Sequence, residues 1–183
     1  QNSIATRVGQ DILARGGNAV DASVAVGFAL AVTLPRAGNL GGSGFMLAHM
    51  AEEKKTVALD YRSVAPLAAS VEKYSDTDGE LNMDKLTFGP MAPAVPGTVA
   101  GMYEAWQQFG SMSWKDVLYP AYQLADEGFV IGHDLAYVLN MAFEVINHYS
   151  NSSAYIKQGG EPWVAGDKRV QKDLAWSIGQ IME

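Results

Sequence analysis

Arg62 is the side chain in this sequence best suited to hold a small charged molecule. It follows directly on Thr56 to Tyr61, a largely apolar run that reads as a strand, and a sheet fixes where the residue at its end is placed. A guanidinium presents a planar fork of donors that matches a carboxylate, so a strand-end arginine can clamp an acidic substrate. It can equally sit in a structural ion pair with one of the 20 Asp and Glu residues of the chain. Position alone favours the ion pair.

Other candidates are weaker. The glycine-rich stretch Gly38 to Gly44 could cradle a phosphate only with a strand before it and a helix after it. Here the order is helix, then strand, and the spacing lacks a P-loop lysine. Glycines that turn a buried helix sharply into a strand are the favoured reading. Ser43 is not at a nucleophile elbow, because Phe45 occupies the last glycine position of that motif and the strand-turn-helix context is missing. Asp76-Thr77-Asp78-Gly79-Glu80 places its glycine too early for a calcium loop and reads as a solvated turn. His49, His133 and His148 stand at no metal-ligating spacing, and no cysteine can complete a set. Neither a metal nor a cofactor is expected, and the residues offer no catalytic group.

Composition narrows the partners. A net charge of −7 without a Lys/Arg cluster argues against nucleic-acid binding, which needs a basic face. With 48% hydrophobic residues the chain can build a core, and its length suits one domain or one piece of a larger one. The most apolar stretch, Ala19 to Leu34, is short for a membrane span and carries Asp21, so a buried helix is expected.

Several elements position these residues. Ile4, Val8, Ile12 and Leu13 mark a first helix that Gly16-Gly17 stops. Asn18, with Asp21 as its reciprocal partner, caps a second helix that is apolar on nearly every side and ends at Pro35. Strands follow over 45–50 and 56–61, joined by the charged turn 51–55. A short helix is expected from Pro66 to near Tyr74, a polar loop over 75–82, and an extended Pro-rich segment from Gly89 to Gly97. Thr98 reads as the cap of a helix that Gly110 closes. Ser113 with Asp116 caps the next, which runs to Gly128 with a kink or restart at Pro120. Helices over 134–149 and 167–182 complete the pattern, with a break at Ser150 to Ser153 and a loop from Gly159 to Gly166.

Four ordered stretches resemble the gamma-glutamyltranspeptidase family. They are Gly16-Gly17-Asn18-Ala19-Val20-Asp21-Ala22, Leu34-Pro35 through Gly38-Asn39-Leu40-Gly41-Gly42-Ser43-Gly44-Phe45-Met46, Leu59-Asp60-Tyr61-Arg62-Ser63-Val64-Ala65-Pro66, and Val95-Pro96-Gly97-Thr98-Val99-Ala100-Gly101-Met102. The resemblance implies an α+β fold, part of the αββα sandwich of N-terminal nucleophile hydrolases, predominantly helical here with a few core strands. It implies that residues 1–183 form a single piece at the N-terminal end of the large subunit. The nucleophilic threonine would belong to the small subunit. The family's activity is cleavage of gamma-glutamyl amides such as glutathione through an acyl-enzyme, with transfer to water or an acceptor amine. Its arginine in the Leu-Asp-aromatic-Arg stretch, here Arg62, binds the alpha-carboxylate of the gamma-glutamyl group. Implied partners are the substrate, the rest of the large subunit and the small subunit, and the implied location is periplasmic or extracellular. Related acylases acting on cephalosporins or processing poly-gamma-glutamate, and a non-catalytic binding or assembly module, are the alternatives. Apolar faces left uncovered predict self-association of the isolated chain.

Overall fold

The computed structural model describes residues 2–149, 155–157 and 159–183. The predicted break at Ser150 to Ser153 lies outside them.

Helix α1 (Ser3–Ala14) ends at a glycine pair that closes its last turn. Gly16 adopts φ +92°, Gly17 donates to the Ile12 carbonyl and Gly16 to that of Leu13. Helix α2 (Ala19–Thr33) begins with the predicted capping box, in which the Asn18 side chain accepts from Val20 and Asp21 while Asp21 accepts from the Asn18 amide. Val24, Ala25, Phe28, Ala29 and Val32 of α2 are fully buried. This helix packs against α1, α5 (Thr98–Phe109) and α6 (Trp114–Asp126), while α9 (Lys172–Ile181) packs on α6. Burying a Val or Phe side chain contributes about 1.5–3 kcal/mol, so α2 is the centre of the apolar core. The Trp114 ring meets Phe28 edge-on at 5.7 Å, and its indole N–H donates to the Ile181 carbonyl at 2.7 Å, tying α6 to the end of α9.

Strands β1 (Gly44–Met50) and β2 (Lys55–Tyr61) pair antiparallel, with Gly44 opposite Tyr61 and Met50 opposite Lys55. Their alternating pattern divides the hairpin into two faces. Met46, Ala48, Met50 and Leu59 lie on the helical core. On the opposite face Phe45 is 68% and Leu47 77% exposed. The result is an α+β arrangement, predominantly helical, with one layer of helices against a sheet whose second face is open.

The remainder departs from expectation in several places. Pro66 opens a turn, and helix α3 covers only Val71–Tyr74. Helix α4 (Met83–Thr87) is too short and mixed to show a periodic stripe, and Asn82 caps it. Pro120 sits inside α6 without ending it. The predicted helix over 134–149 is divided at Ala142 into α7 (His133–Met141) and α8 (Phe143–Tyr149). The final helix starts later than expected, because Lys168–Arg169 forms β4 and pairs with β3 (Phe129–Val130). Arg169, placed on a helix by the pattern, is 1% exposed. It and Gln171 both donate to the Val32 carbonyl, supplying partners to an acceptor in the last turn of α2.

Candidate functional site

Arg62 lies one residue past the end of β2. Ser43 lies one residue before β1, so the hairpin register sets the two side by side. The Arg62 Nη1 donates to Ser43 Oγ at 3.0 Å. Asp60, two residues back, could have paired with the guanidinium but instead accepts from the Arg62 backbone amide at 2.9 Å. Among the described residues Arg62 makes no ion pair, and its side chain is exposed. The guanidinium therefore keeps its Nε/Nη2 edge, a two-donor fork, available to an anion.

Two backbone anchors bracket this position. On one side Val64 and Val95 exchange amide hydrogen bonds of 3.2 and 2.9 Å. On the other, Tyr61 is seated on glycines. A Cβ at Gly101 would fall 2.2 Å from the Tyr61 Cγ, one at Gly97 2.2 Å from the Tyr61 carbonyl oxygen, and one at Gly44 2.9 Å from the ring. No larger residue fits while α5 lies this close to β2. Burial raises the Tyr61 phenol above its ordinary pKa.

The glycine-rich stretch serves the same junction. The Gly42 carbonyl accepts from the amides of Gly97 at 3.0 Å and Thr98 at 3.1 Å. Thr98 is thus not the cap that its residue type predicts. It is the first residue of α5, Gly97 takes the cap position, and no side chain makes a capping hydrogen bond. A main-chain oxygen from another segment satisfies the helix start instead. The favoured turn reading of Gly38 to Gly44 is consistent with this, since a Cβ at Gly38 would stand 2.8 Å from the Leu30 main chain.

Other sequence candidates stay apart from Arg62. His49 hydrogen-bonds Thr56 across the hairpin at 3.0 Å. Asp76 accepts from Asn82 and Lys85, which hold its carboxyl below the usual range, and Gly79 at φ +88° completes the turn. Among the described residues no group of three His, Asp or Glu could hold a metal. No helix among them is long and apolar enough to cross a membrane. A cavity of about 420 Å³ is lined by Asn2, Arg7, Thr33 and Phe129 to Gly132, and one of about 250 Å³ lies between the start of α2 and β1. Arg62 lines neither. The candidate site is built from the guanidinium edge and its supports.

Sequence reasoning singled out Arg62 but missed the partners that fix it: Ser43, Tyr61, Gly97 and Gly101. One signal was present. A glycine inside a helical stripe, as at Gly101, costs about 1 kcal/mol relative to alanine and points to a close approach by another element.

The supports of Arg62 come from the second, third and fourth of the stretches that carry the family resemblance. The family model described as "Gamma-glutamyltranspeptidase" matches residues 5–183. The chain belongs to the gamma-glutamyltranspeptidase family. It is 45% identical over 181 residues to a glutathione hydrolase proenzyme of Pseudomonas sp. strain A14, and 44% identical over 183 residues to that of Escherichia coli K12. These matches take in 97% and 100% of this chain but 31% of each relative, so the chain spans about a third of the curated relatives' length. The solved gamma-glutamyltranspeptidase of Helicobacter pylori superposes with a TM-score of 0.95 at 40% identity, covering all of this chain and 52% of that one. The layer of helices and the open-faced hairpin are thus part of the gamma-glutamyltranspeptidase fold, an N-terminal nucleophile hydrolase architecture.

Proposed function

We propose that residues 1–183 form one piece of the large subunit of a gamma-glutamyltranspeptidase, in which Arg62 binds the alpha-carboxylate of a gamma-glutamyl substrate such as glutathione. The whole protein transfers the gamma-glutamyl group, through an acyl-enzyme, to water or an acceptor amine. A threonine outside this chain is the nucleophile. The observation that carries this reading is an arginine held at a strand end with no ion pair among the described residues and its Nε/Nη2 edge unengaged there. That arrangement supports an anion fork over the structural ion pair that position alone favoured.

Charge-assisted hydrogen bonds are worth about 1.5–3 kcal/mol. Arg62→Ala in the full-length protein is expected to lower kcat/KM for glutathione by roughly 10- to 100-fold. Arg62→Lys recovers part of the loss at most, because an ammonium lacks the fork. Unchanged kinetics in both variants refute the assignment. Comparison of gamma-glutamyl with glutaryl amides separates this activity from that of a related acylase, for which the glutaryl donor is preferred. Absence of turnover with either class would favour a binding module.

The open hairpin face bearing Phe45 and Leu47 is the surface on which the rest of the large subunit or the small subunit would pack. The isolated chain is then expected to self-associate, and light scattering that finds a monomer at high concentration counts against it. Family membership supports a periplasmic or extracellular location.

A further inference from the structure

We infer that Ser43 is the positioning residue of the Arg62 fork: its hydroxyl engages Nη1 and so turns the Nε/Nη2 edge toward the substrate carboxylate. The inference rests on the carboxylate-binding reading of Arg62.

Three observations converge on it. Ser43 and Arg62 are neighbours by continuation of the Gly44–Tyr61 register, so the contact is imposed by the hairpin rather than by chance approach of two long side chains. Both are held from behind by the same turn of α5. Gly42, next to Ser43, accepts from Gly97 and Thr98, and Tyr61, next to Arg62, packs on Gly97 and Gly101. The two anchor points thus cannot drift apart without breaking the start of that helix. Lastly, Ser43 Oγ is the sole side-chain partner of the guanidinium among the described residues, since Asp60 is engaged with the backbone amide. Without Ser43 the long Arg62 side chain, free in solvent, would sample many rotamers and lose more freedom on binding a carboxylate.

A solvent-exposed hydrogen bond contributes little to folding, so its removal should be felt in substrate binding and not in stability. The test compares Ser43→Ala, Ser43→Thr, Arg62→Ala and the Ser43→Ala/Arg62→Ala double variant in the full-length protein. KM and kcat for glutathione are measured beside the thermal midpoint. Ser43→Ala is expected to raise KM by about 3- to 10-fold with kcat and the midpoint unchanged. Ser43→Thr, which keeps a hydroxyl, restores KM. In the Arg62→Ala background Ser43→Ala has no further effect, because its route to the substrate has gone. If Arg62→Ala is impaired while Ser43→Ala is not, the Ser43 role is overturned and the Arg62 role stands. A Ser43→Ala effect that persists without Arg62, or one accompanied by a fallen midpoint, overturns it as well. An Arg62→Ala variant with wild-type kinetics overturns both.

Discussion

Gly101→Ala separates local preference from tertiary packing, because the two give opposite signs. Within a helix interior, alanine is favoured over glycine by about 1 kcal/mol. Gly101 is the fourth residue of α5, and by propensity alone the substitution stabilises. The structure opposes this. The added Cβ would lie 2.2 Å from Tyr61 Cγ, 2.3 Å from its Cβ and 2.5 Å from its Cδ1, where ordinary contacts are 3.4–4 Å. The obstacle is the root of an aromatic side chain followed by a strand-end main chain, so rotamer changes give little relief. Helix α5 and strand β2 must separate by roughly 1 Å, an overpacking that costs about 1–3 kcal/mol and more where the backbone resists. The net expectation is a loss of up to about 2 kcal/mol, read as a lower urea midpoint at unchanged m. Because Arg62 follows Tyr61 directly, the same displacement should raise KM for glutathione in the full-length protein. Replacing Tyr61 with glycine in the Gly101→Ala background removes all three contacted atoms, so the two substitutions should be strongly non-additive. Stabilisation by Gly101→Ala, or simple additivity with Tyr61→Gly, would refute the claim that these glycines seat Tyr61.

Two further predictions concern carboxylates. Asp21 is fully buried and accepts from the Asn18 amide at 2.9 Å, the Ser111 amide at 3.1 Å and the Ser111 hydroxyl at 2.6 Å. Asp21→Ala orphans these donors and is expected to cost about 3 kcal/mol, with Asp21→Asn recovering part; a loss below about 1 kcal/mol in urea unfolding contradicts the account. Asp167 is held below the ordinary carboxylate range, first by the Val164 amide at 2.9 Å and then by Lys157 at 3.0 Å. A lowered folded pKa means that its stabilisation is complete above the unfolded value of about 3.9 and is lost as pH falls through the folded one. Protection of the Val164 amide, measured relative to its intrinsic exchange rate at each pH, should therefore fall only below about pH 4, and an onset well above about pH 5 would contradict it.

The first third of the chain was legible because its signals are local. A glycine pair at a helix end, an Asn–Asp capping box, an all-round apolar helix and an alternating hairpin each specify structure through residues within a few positions of one another. Arg62 was legible for the same reason, as an arginine at the end of an apolar strand. Its freedom was not. Whether Asp60 pairs with the guanidinium or with the backbone amide depends on how the chain turns after β2, and spacing carries no information about that choice. The start of α5 was misjudged because Thr98 has the residue type of a cap, whereas a carbonyl more than fifty positions earlier does the capping. The hydrogen bonds that hold Asp21 to Ser111, and the burial of Arg169 beneath the end of α2, are likewise long-range pairings. Sequence by itself determined the helices and the hairpin that local signals specify, and which side chain could hold an anion, but not α4, the β3–β4 pairing or the division of the helix over 134–149. Only the tertiary structure decided which partners each polar group takes, because burial and hydrogen bonding are settled by segments that meet across the fold.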